Sequence, residues 1–381
     1  MLTGIICEYN PLHTGHKKQI DHIRHSLGAD SGIVCLMSGN FVQRGAPAIF
    51  DKSIRAEAAI KSGADLVLEL PVTYALSSAE GFAAGGVSIL SPFCDRLCFG
   101  AESPDKSDLL ETAQALLSPA FPDALRTYLD EGLSFPAARQ KALAAMGLDA
   151  ALLAHPNNIL AVEYCKAILA QNSKMEPFPI FRAGSYHSVT ADAQNPSATF
   201  LRQQLLSHRD WERYVPEETV KLFFTAPLHS LEAGERAILS KLRTMSDDEF
   251  EALPGGSEGL WRKLMHAARQ CTTLEEIAAE VKSKRYTRTR IDRMVLCAFL
   301  GISEEMLHTP VPYVRVLALN DRGREILKLA RTTGSFVIAG EAQEGPYAAL
   351  ETRCGQLYGL FAENAIESPD AESSRRICYI P

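Results

Sequence analysis

The chain opens on a run of apolar positions, Leu2 to Cys7, and passes into a polar-faced helical stretch, Gly15 to Leu27, closed by Gly28. The alternation then repeats. Apolar Gly32 to Met37 is followed by "DKSIRAEAAIKSG", with Asp51 placed as an N-cap and Gly63 just past the end. "ADLVLELP" comes next, then a helical stretch from Tyr74 to Leu90 that leads into "DRLCFG". Strands that are apolar throughout and alternate with helices predict a parallel sheet covered on both faces. Right-handed crossovers make it a Rossmann-like doubly wound layer. Ligands of such sheets sit beyond the carboxyl ends of the strands. The segments "CEYNPLHTGH", "SGNFVQRG", "LPVTY" and "GAES" fall on that rim.

Ser103 to Gly147 reads as polar and helical. "HPNNILAVEYCKAILA" then predicts a helix from about Ile159, "PFPIFRAG" a strand ending near Arg182, and "NPSATFLRQQLLSH" a helix with Ser197 as its N-cap. From about Glu217 the composition is helical, with capping-box spacing at Ser246/Glu249 and Thr273/Glu276. The tail from Pro310 carries "VPYVRVLALN", a helical "DRGREILKLAR" and "SFVIAG", which predict a small α/β appendage. The expected division is an α/β domain over residues 1–212 and a mainly helical domain with that tail over 213–381, the boundary lying near 209–216.

The length of 381 residues fits two or three cores better than one. No segment approaches the roughly 18 consecutive apolar residues of a membrane span, and the start lacks the pattern of a leader peptide, so a cytoplasmic location is expected. The nine cysteines are odd in number, scattered and mostly set in apolar runs, the usage of reduced buried thiols. Cys94 and Cys98 form the one close pair and have no partner pair at finger spacing, so no zinc site is expected. The net charge of −7 argues against wholesale nucleic-acid coating while leaving room for a local basic patch.

His13 and His16 flank Gly15 where the first strand hands over to a helix. Free amides and the positive end of the helix dipole favour a phosphate there. Glycine at 15 lets a nucleotide approach the backbone. Two imidazoles against the phosphates would donate hydrogen bonds to the charge that grows in a transition state at phosphorus. Zincin chemistry needs i and i+4 spacing with a glutamate between, and this pair is i and i+3. In "SATFLR", Ser197, Thr199 and a helix N-terminus can meet phosphate oxygens, with Arg202 one turn on; the bland reading is an N-capped surface helix. Arg44 on the rim is a candidate for acetate or a phosphate, or for pairing with a loop carboxylate, and Lys52 lies nearby.

"HTGH" resembles the HxGH signature of the nucleotidyltransferase superfamily. "GIICEYNPLHTGH", "MSGNFVQRGAPA", "KSGADLVLELPVTYALSSAEGFAAGGVSIL", "CFGAES", "HPNNILAVEY", "SATFLR" and "SKRYTRTRIDRM" are similar, in that order, to the tRNA(Met) cytidine acetate ligase family. The resemblance covers most of the chain, most closely residues 2–102. It implies an enzyme that activates acetate with ATP and acetylates N4 of the wobble cytidine of elongator tRNA(Met). By position it implies ATP contacts at Ile6, Cys7, Glu8, Tyr9, Asn10, Pro11, His13, Gly15, His16, Gln19, Gly100, Arg182 and one of Asn157 and Asn158, with His13 and His16 catalytic. At Tyr186 and His187 the compact "AGSYH" departs from the family's usual spacing.

Residues 282–293, "KSKRYTRTRIDR", concentrate six basic side chains and one acid in an acidic chain. Such runs are commonly solvated helix faces. Here Lys284, Arg285, Arg288 and Arg290 are candidates for RNA phosphates and Tyr286 for base stacking. The expected course is attack of acetate on the α-phosphate, release of pyrophosphate, then attack of cytidine N4 on the acetyladenylate with loss of AMP. Magnesium is expected with the triphosphate, without a dedicated protein cage. The rivals are adenylylation of a small metabolite and an ATP-sensing RNA-binding module without turnover.

Overall fold

The computed structural model describes residues 1–182, 197–257, 259–333, 337–339, 343–369 and 376–381. Strand β1 (Leu2–Cys7) leads through helix α1 (Thr14–Leu27) to β2 (Gly32–Ser38), and a short hairpin of β3 (Phe41–Val42) and β4 (Ala46–Pro47) precedes helix α2 (Lys52–Lys61) and β5 (Leu66–Leu70). The chain then crosses by helix Ala79–Leu90 to β6 (Arg96–Ala101) and by helix Pro156–Ala170 to β7 (Glu176–Phe181). These strands pair in parallel in the order β5-β2-β1-β6-β7. The order reverses between β1 and β6, which opens a crevice at their carboxyl ends.

The continuous apolar character of the strands has a direct cause, because successive side chains point to opposite faces and both faces are covered. Ile5, Ile33, Cys35, Met37 and Val67 share one core with Ile20 and Ile23 of α1 and Ala59 of α2. The alternate residues Ile6, Val34, Leu36, Leu66 and Leu68 share another with Ala83, Val87, Val162 and Cys165. A third core, built from Ile238, Leu242, Phe250, Leu264, Ile277 and Leu296 among others, holds the helical part. No helix among the described residues is long and apolar enough to cross a membrane.

The α/β tail forms as expected, but it does not stand apart. Its strand β8 (Tyr313–Leu319) adds antiparallel to β5, with Leu319 opposite Leu66, and β9 (Val337–Ala339) and β10 (Cys378–Tyr379) pair with β8. Asp65 fixes this addition. Its carboxylate accepts from Ile33 N–H at 2.7 Å, from Arg24 at 2.8 Å and from Asn320 Nδ2 at 3.1 Å, and its carbonyl accepts from Asn320 N–H at 3.0 Å. A Cβ at Gly323 would lie 2.0 Å from that carbonyl oxygen, so glycine is required where the returning chain crosses.

The sheet and the helical part meet at the β3–β4 hairpin. Gly45, at φ +80°, leans so closely on helix Arg288–Leu300 that a Cβ would come within 2.4 Å of Arg293 N. Arg293 Nη1 donates to Gln43 O at 3.3 Å across the same contact.

Helix α2 starts as its sequence predicts, Asp51 Oδ1 accepting from Ser53 N–H at 2.8 Å. Two of its cations, Lys52 and Arg55, turn inward. Lys52 Nζ lies 2.8 Å from Glu69 Oε1 with both side chains buried, so Lys52 is tied up in a structural ion pair and is not among the residues of the crevice. Arg55 is fully buried. Its Nε donates to Phe50 O at 2.9 Å, its Nη1 to Glu8 O at 2.6 Å and Ser38 O at 3.0 Å, and its Nη2 to Gly39 O. One guanidinium thus ties the carboxyl ends of β1 and β2 to the hairpin and to the start of α2. Replacing Arg55 by methionine leaves four carbonyls without their donor, and urea unfolding should show a loss of more than about 3 kcal/mol. A change below about 1 kcal/mol would contradict this account of the tie.

Candidate functional site

His13 is the N-cap of α1, in extended backbone at φ −135° and ψ 173°. Its Nδ1 accepts from Gly15 N–H at 3.1 Å, and His16 Nδ1 accepts in return from His13 N–H at 3.2 Å. The two imidazoles therefore form a reciprocal cap, a task normally given to Ser or Thr with Glu. An Nδ1 that accepts from an amide carries no proton, so each neutral ring has its proton on Nε2. The rings stack at 3.7 Å with 21° between planes. Burial, then the positive charges of Arg182 and Arg202, push the His13 pKa down to about 3. Burial, then His13 and Arg182, hold His16 well below the ordinary imidazole value. Both are neutral donors through Nε2, and His13 Nε2 is buried with no hydrogen-bond partner among the described residues.

Gly15 has a reason within the protein itself. A Cβ there would lie 2.9 Å from His13 Cε1, so the His13 ring makes a close approach that favours glycine.

His16 borders a cleft of about 300 Å³ at the reversal point of the sheet. From β1 and its loop come Ile6, Cys7, Glu8, Tyr9 and Asn10; from α1, Gln19; from β6, Gly100; and from farther along the chain, Asn157, Arg182 and Arg202. Arg44 and Gln43 close the hairpin side. Twelve predicted residues thus converge here, with His13 and Gly15 directly behind His16. A Cβ at Gly100 would meet nothing closer than Arg182 Cδ at 3.4 Å, so internal packing does not require the glycine and the space beyond it is left to a ligand. Tyr9 is held at φ 44°, its ring buried and 5.0 Å from that of His16.

Among the described residues four helices start at the cleft: α1, Ala79–Leu90, Pro156–Ala170 and Ala198–Leu206. These helix starts with Arg182 and Arg202, and Arg44 from the hairpin side, make the cleft strongly favourable to an anion. Asn157 and Asn158 separate in role. Asn157 borders the cleft, its Nδ2 donating to Glu102 Oε1 at 2.7 Å and its Oδ1 accepting from Arg182 at 3.4 Å. Asn158 is completely buried, accepts from Ser103 N–H at 3.0 Å and is not among the residues that line the cleft. Pro11, Ser197 and Thr199 also stay off the cleft wall. Ser197 caps its helix by accepting from Phe200 N–H at 3.1 Å, and Thr199 Oγ1 accepts from Arg202 at 3.1 Å, while Arg202 Nη1 donates to Asn10 O at 2.8 Å. These hydroxyls aim the helix and its arginine. Tyr186 and His187 lie outside the described residues.

The sequence reading missed Glu102, whose carboxylate receives both first amides of helix Pro156–Ala170, at 3.3 and 2.8 Å. The "GAES" rim segment was its only signal. It also missed the apolar half of the cleft, formed by Phe82, Phe99, Leu160 and Tyr164.

The basic segment differs from expectation. Tyr286 is buried in the helical core, with Arg290 above its ring at 5.7 Å, so it offers no stacking face. Arg288 is paired with Asp292 and Glu275, each at 2.8 Å, and Arg290 donates to Gly255 O at 2.9 Å and Ser257 Oγ at 3.1 Å. Lys284 and Arg285 remain exposed. The segment opens helix Arg288–Leu300, which carries the hairpin whose other side lines the cleft.

The tautomer assignment is testable in the ligand-free protein. Nitrogen-15 NMR should find one ring proton, on Nε2, for both histidines at about pH 5, where an ordinary imidazole is mostly protonated. Between the unperturbed value of 6.5 and the folded value of about 3, the unfolded chain binds a proton that native His13 does not. Stability therefore falls as pH drops through that window. Protonation of either ring near pH 6 would contradict the assignment.

The HIGH nucleotidyl transferase family model matches residues 1–373. The tRNA(Met) cytidine acetate ligase of Clostridium novyi is 39% identical, covering 88% of this chain and 89% of that protein. That of Alkaliphilus metalliredigens is 38% identical, covering 95% of each. The crystal structure of apo TmcAL from Thermotoga maritima superposes with a TM-score of 0.92 at 29% identity, covering 100% of this chain and 99% of that one. A second form of that protein, bound with α-thio ATP, superposes with a TM-score of 0.89. A reciprocal histidine cap at the switch point of a doubly wound sheet is thus found in a chain that belongs to the HIGH nucleotidyl transferase family, among the tRNA(Met) cytidine acetate ligases.

Proposed function

We propose that this enzyme joins acetate to N4 of the wobble cytidine of elongator tRNA(Met) in two ATP-driven steps, through acetyladenylate. The observation that carries the reading is the pair of imidazoles fixed as Nε2–H donors beside a cleft with a cationic wall. Acetate attacks the α-phosphate of ATP and pyrophosphate leaves. His16 Nε2–H donates to the α-phosphate from the cleft wall, and a phosphate oxygen supplies the acceptor that His13 Nε2–H lacks among the described residues. Charge develops in that transition state against donors already oriented by the backbone, which lowers the barrier without reorganisation. Arg182 and Arg202 face the departing phosphates, and the start of helix Ala198–Leu206 adds its amides. Gly100 leaves room for the nucleoside. Arg44 is placed to receive the acetate carboxylate or a phosphate from the hairpin side.

Magnesium is expected with the triphosphate. Among the described residues no cluster of three or more His, Cys, Asp or Glu could hold a metal, and Glu8 is the one carboxylate on the cleft wall, so no step is assigned to the ion. The tRNA approaches over the hairpin side, where Lys284 and Arg285 can meet its phosphates.

The test uses labelled acetate, ATP, magnesium and elongator tRNA(Met). Label should enter the anticodon-loop cytidine as N4-acetylcytidine, with AMP formed in equal amount. ADP in place of AMP would contradict attack at the α-phosphate. Label on a small molecule and none on tRNA would favour adenylylation of a metabolite.

A further inference from the structure

We propose that Glu8 is the general base of the second step, accepting the proton that cytidine N4 loses as it is acetylated. This rests on the two-step reaction proposed above. In that step the N4 lone pair forms a bond to the acetyl carbon of acetyladenylate, and the carbon–oxygen bond to phosphate breaks with its electron pair going to AMP. N4 gives up one proton, and the cleft must contain an acceptor for it.

The histidines are unsuitable by geometry. Each has its Nδ1 closed by a backbone amide and its proton on Nε2, so neither presents a lone pair to the cleft. The phenols and thiols are unsuitable by protonation state, since burial raises Tyr9, Tyr164 and Cys7 well above their ordinary values. Arg44, Arg182 and Arg202 have no lone pair to offer. Glu8 remains, the one carboxylate among the described residues that line the cleft.

Its position suits the acceptor side. Glu8 Oε1 accepts from Gln43 N–H at 2.8 Å, and its own carbonyl accepts from Arg55 Nη1 at 2.6 Å. The residue is therefore held through its backbone and through one carboxylate oxygen, between the β1 loop that carries the histidines and the hairpin that contacts helix Arg288–Leu300. Glu8 thus lines the cleft beside Gln43, on its hairpin side. A carboxylate fixed in place by one of its oxygens while bordering the cleft is arranged as a positioned proton acceptor.

The Glu8→Gln variant tests this, because glutamine keeps an oxygen for Gln43 N–H and removes only the basic site. Two rates are measured on parent and variant: acetate-dependent exchange of labelled pyrophosphate into ATP, which reads adenylate formation, and single-turnover transfer of labelled acetate to elongator tRNA(Met). The ratio of transfer to exchange should fall about 100-fold or more, the scale for losing a positioned base. The thermal midpoint, measured alongside, should be unchanged. A ratio equal to that of the parent overturns the assignment. If both rates fall together, Glu8 serves the nucleotide, and if neither falls, the departing phosphate takes the proton. A parent protein that exchanges pyrophosphate yet never labels tRNA would instead strike the reaction on which the assignment rests.

Discussion

The guanidinium of Arg55 is the fixture on which the cleft depends. It is completely buried, and its donors hold the carbonyls of Glu8, Ser38, Gly39 and Phe50, all at the ends of neighbouring strands or the start of α2. Strand ends in a doubly wound sheet leave their last carbonyls without ladder partners, and such groups are costly when buried unpaired. A single planar fork satisfies them together. Burial pulls its pKa down from the ordinary guanidinium value, and Tyr358, Asp51 and Glu8 offset part of that shift. From the opposite side Arg202 grips the carbonyl of Asn10 at 2.8 Å. The loop from Glu8 to His13 is thereby fixed from two directions before any ligand arrives.

A fixed loop lets the backbone choose the chemistry of the histidines. Had the first-turn amides been capped by serine and glutamate, two imidazoles at this place would be free to titrate or rotate. Instead the amides of His13 and Gly15 occupy both Nδ1 atoms, and the His13 ring lies close to where a Cβ at Gly15 would be. Burial beside Arg182 and Arg202 keeps the rings neutral. The pair is therefore suited to donating hydrogen bonds to a phosphate and unsuited to proton abstraction. That limit is why the second proposed step needs another residue, and why the carboxylate of Glu8 carries weight in the account.

Much of the site was legible because its residues sit at sequence punctuation. The handover from apolar strand to "HTGH", the arginine closing "PFPIFR" and the serine opening "SATFLR" each mark an element boundary, and boundaries on one rim of the sheet meet in space. What was not legible depended on distant partners. Arg55 and Lys52 lie in a helix whose spelling, "KSIRAEAAIK", suggests a solvated polar face, and only the fold reveals four carbonyls and Glu69 waiting inside. Tyr286 sits among charges that read as surface, yet helix Arg288–Leu300 turns it into the core. The addition of β8 to the sheet was hidden for the same reason, since pairing across some 250 residues is set by Asp65 and Asn320 and has no local pattern.

The central claim is that the backbone presents both histidines to the α-phosphate as Nε2–H donors. A crystal structure of this protein with a non-hydrolysable acetyladenylate mimic tests it most directly. The account predicts phosphate-position oxygens within hydrogen-bond distance of both Nε2 atoms, with the two Nδ1–amide bonds intact and the acyl group directed towards Glu8 and the hairpin. A ligand seated away from the imidazoles, or rings turned so that Nδ1 faces the phosphate, would contradict it.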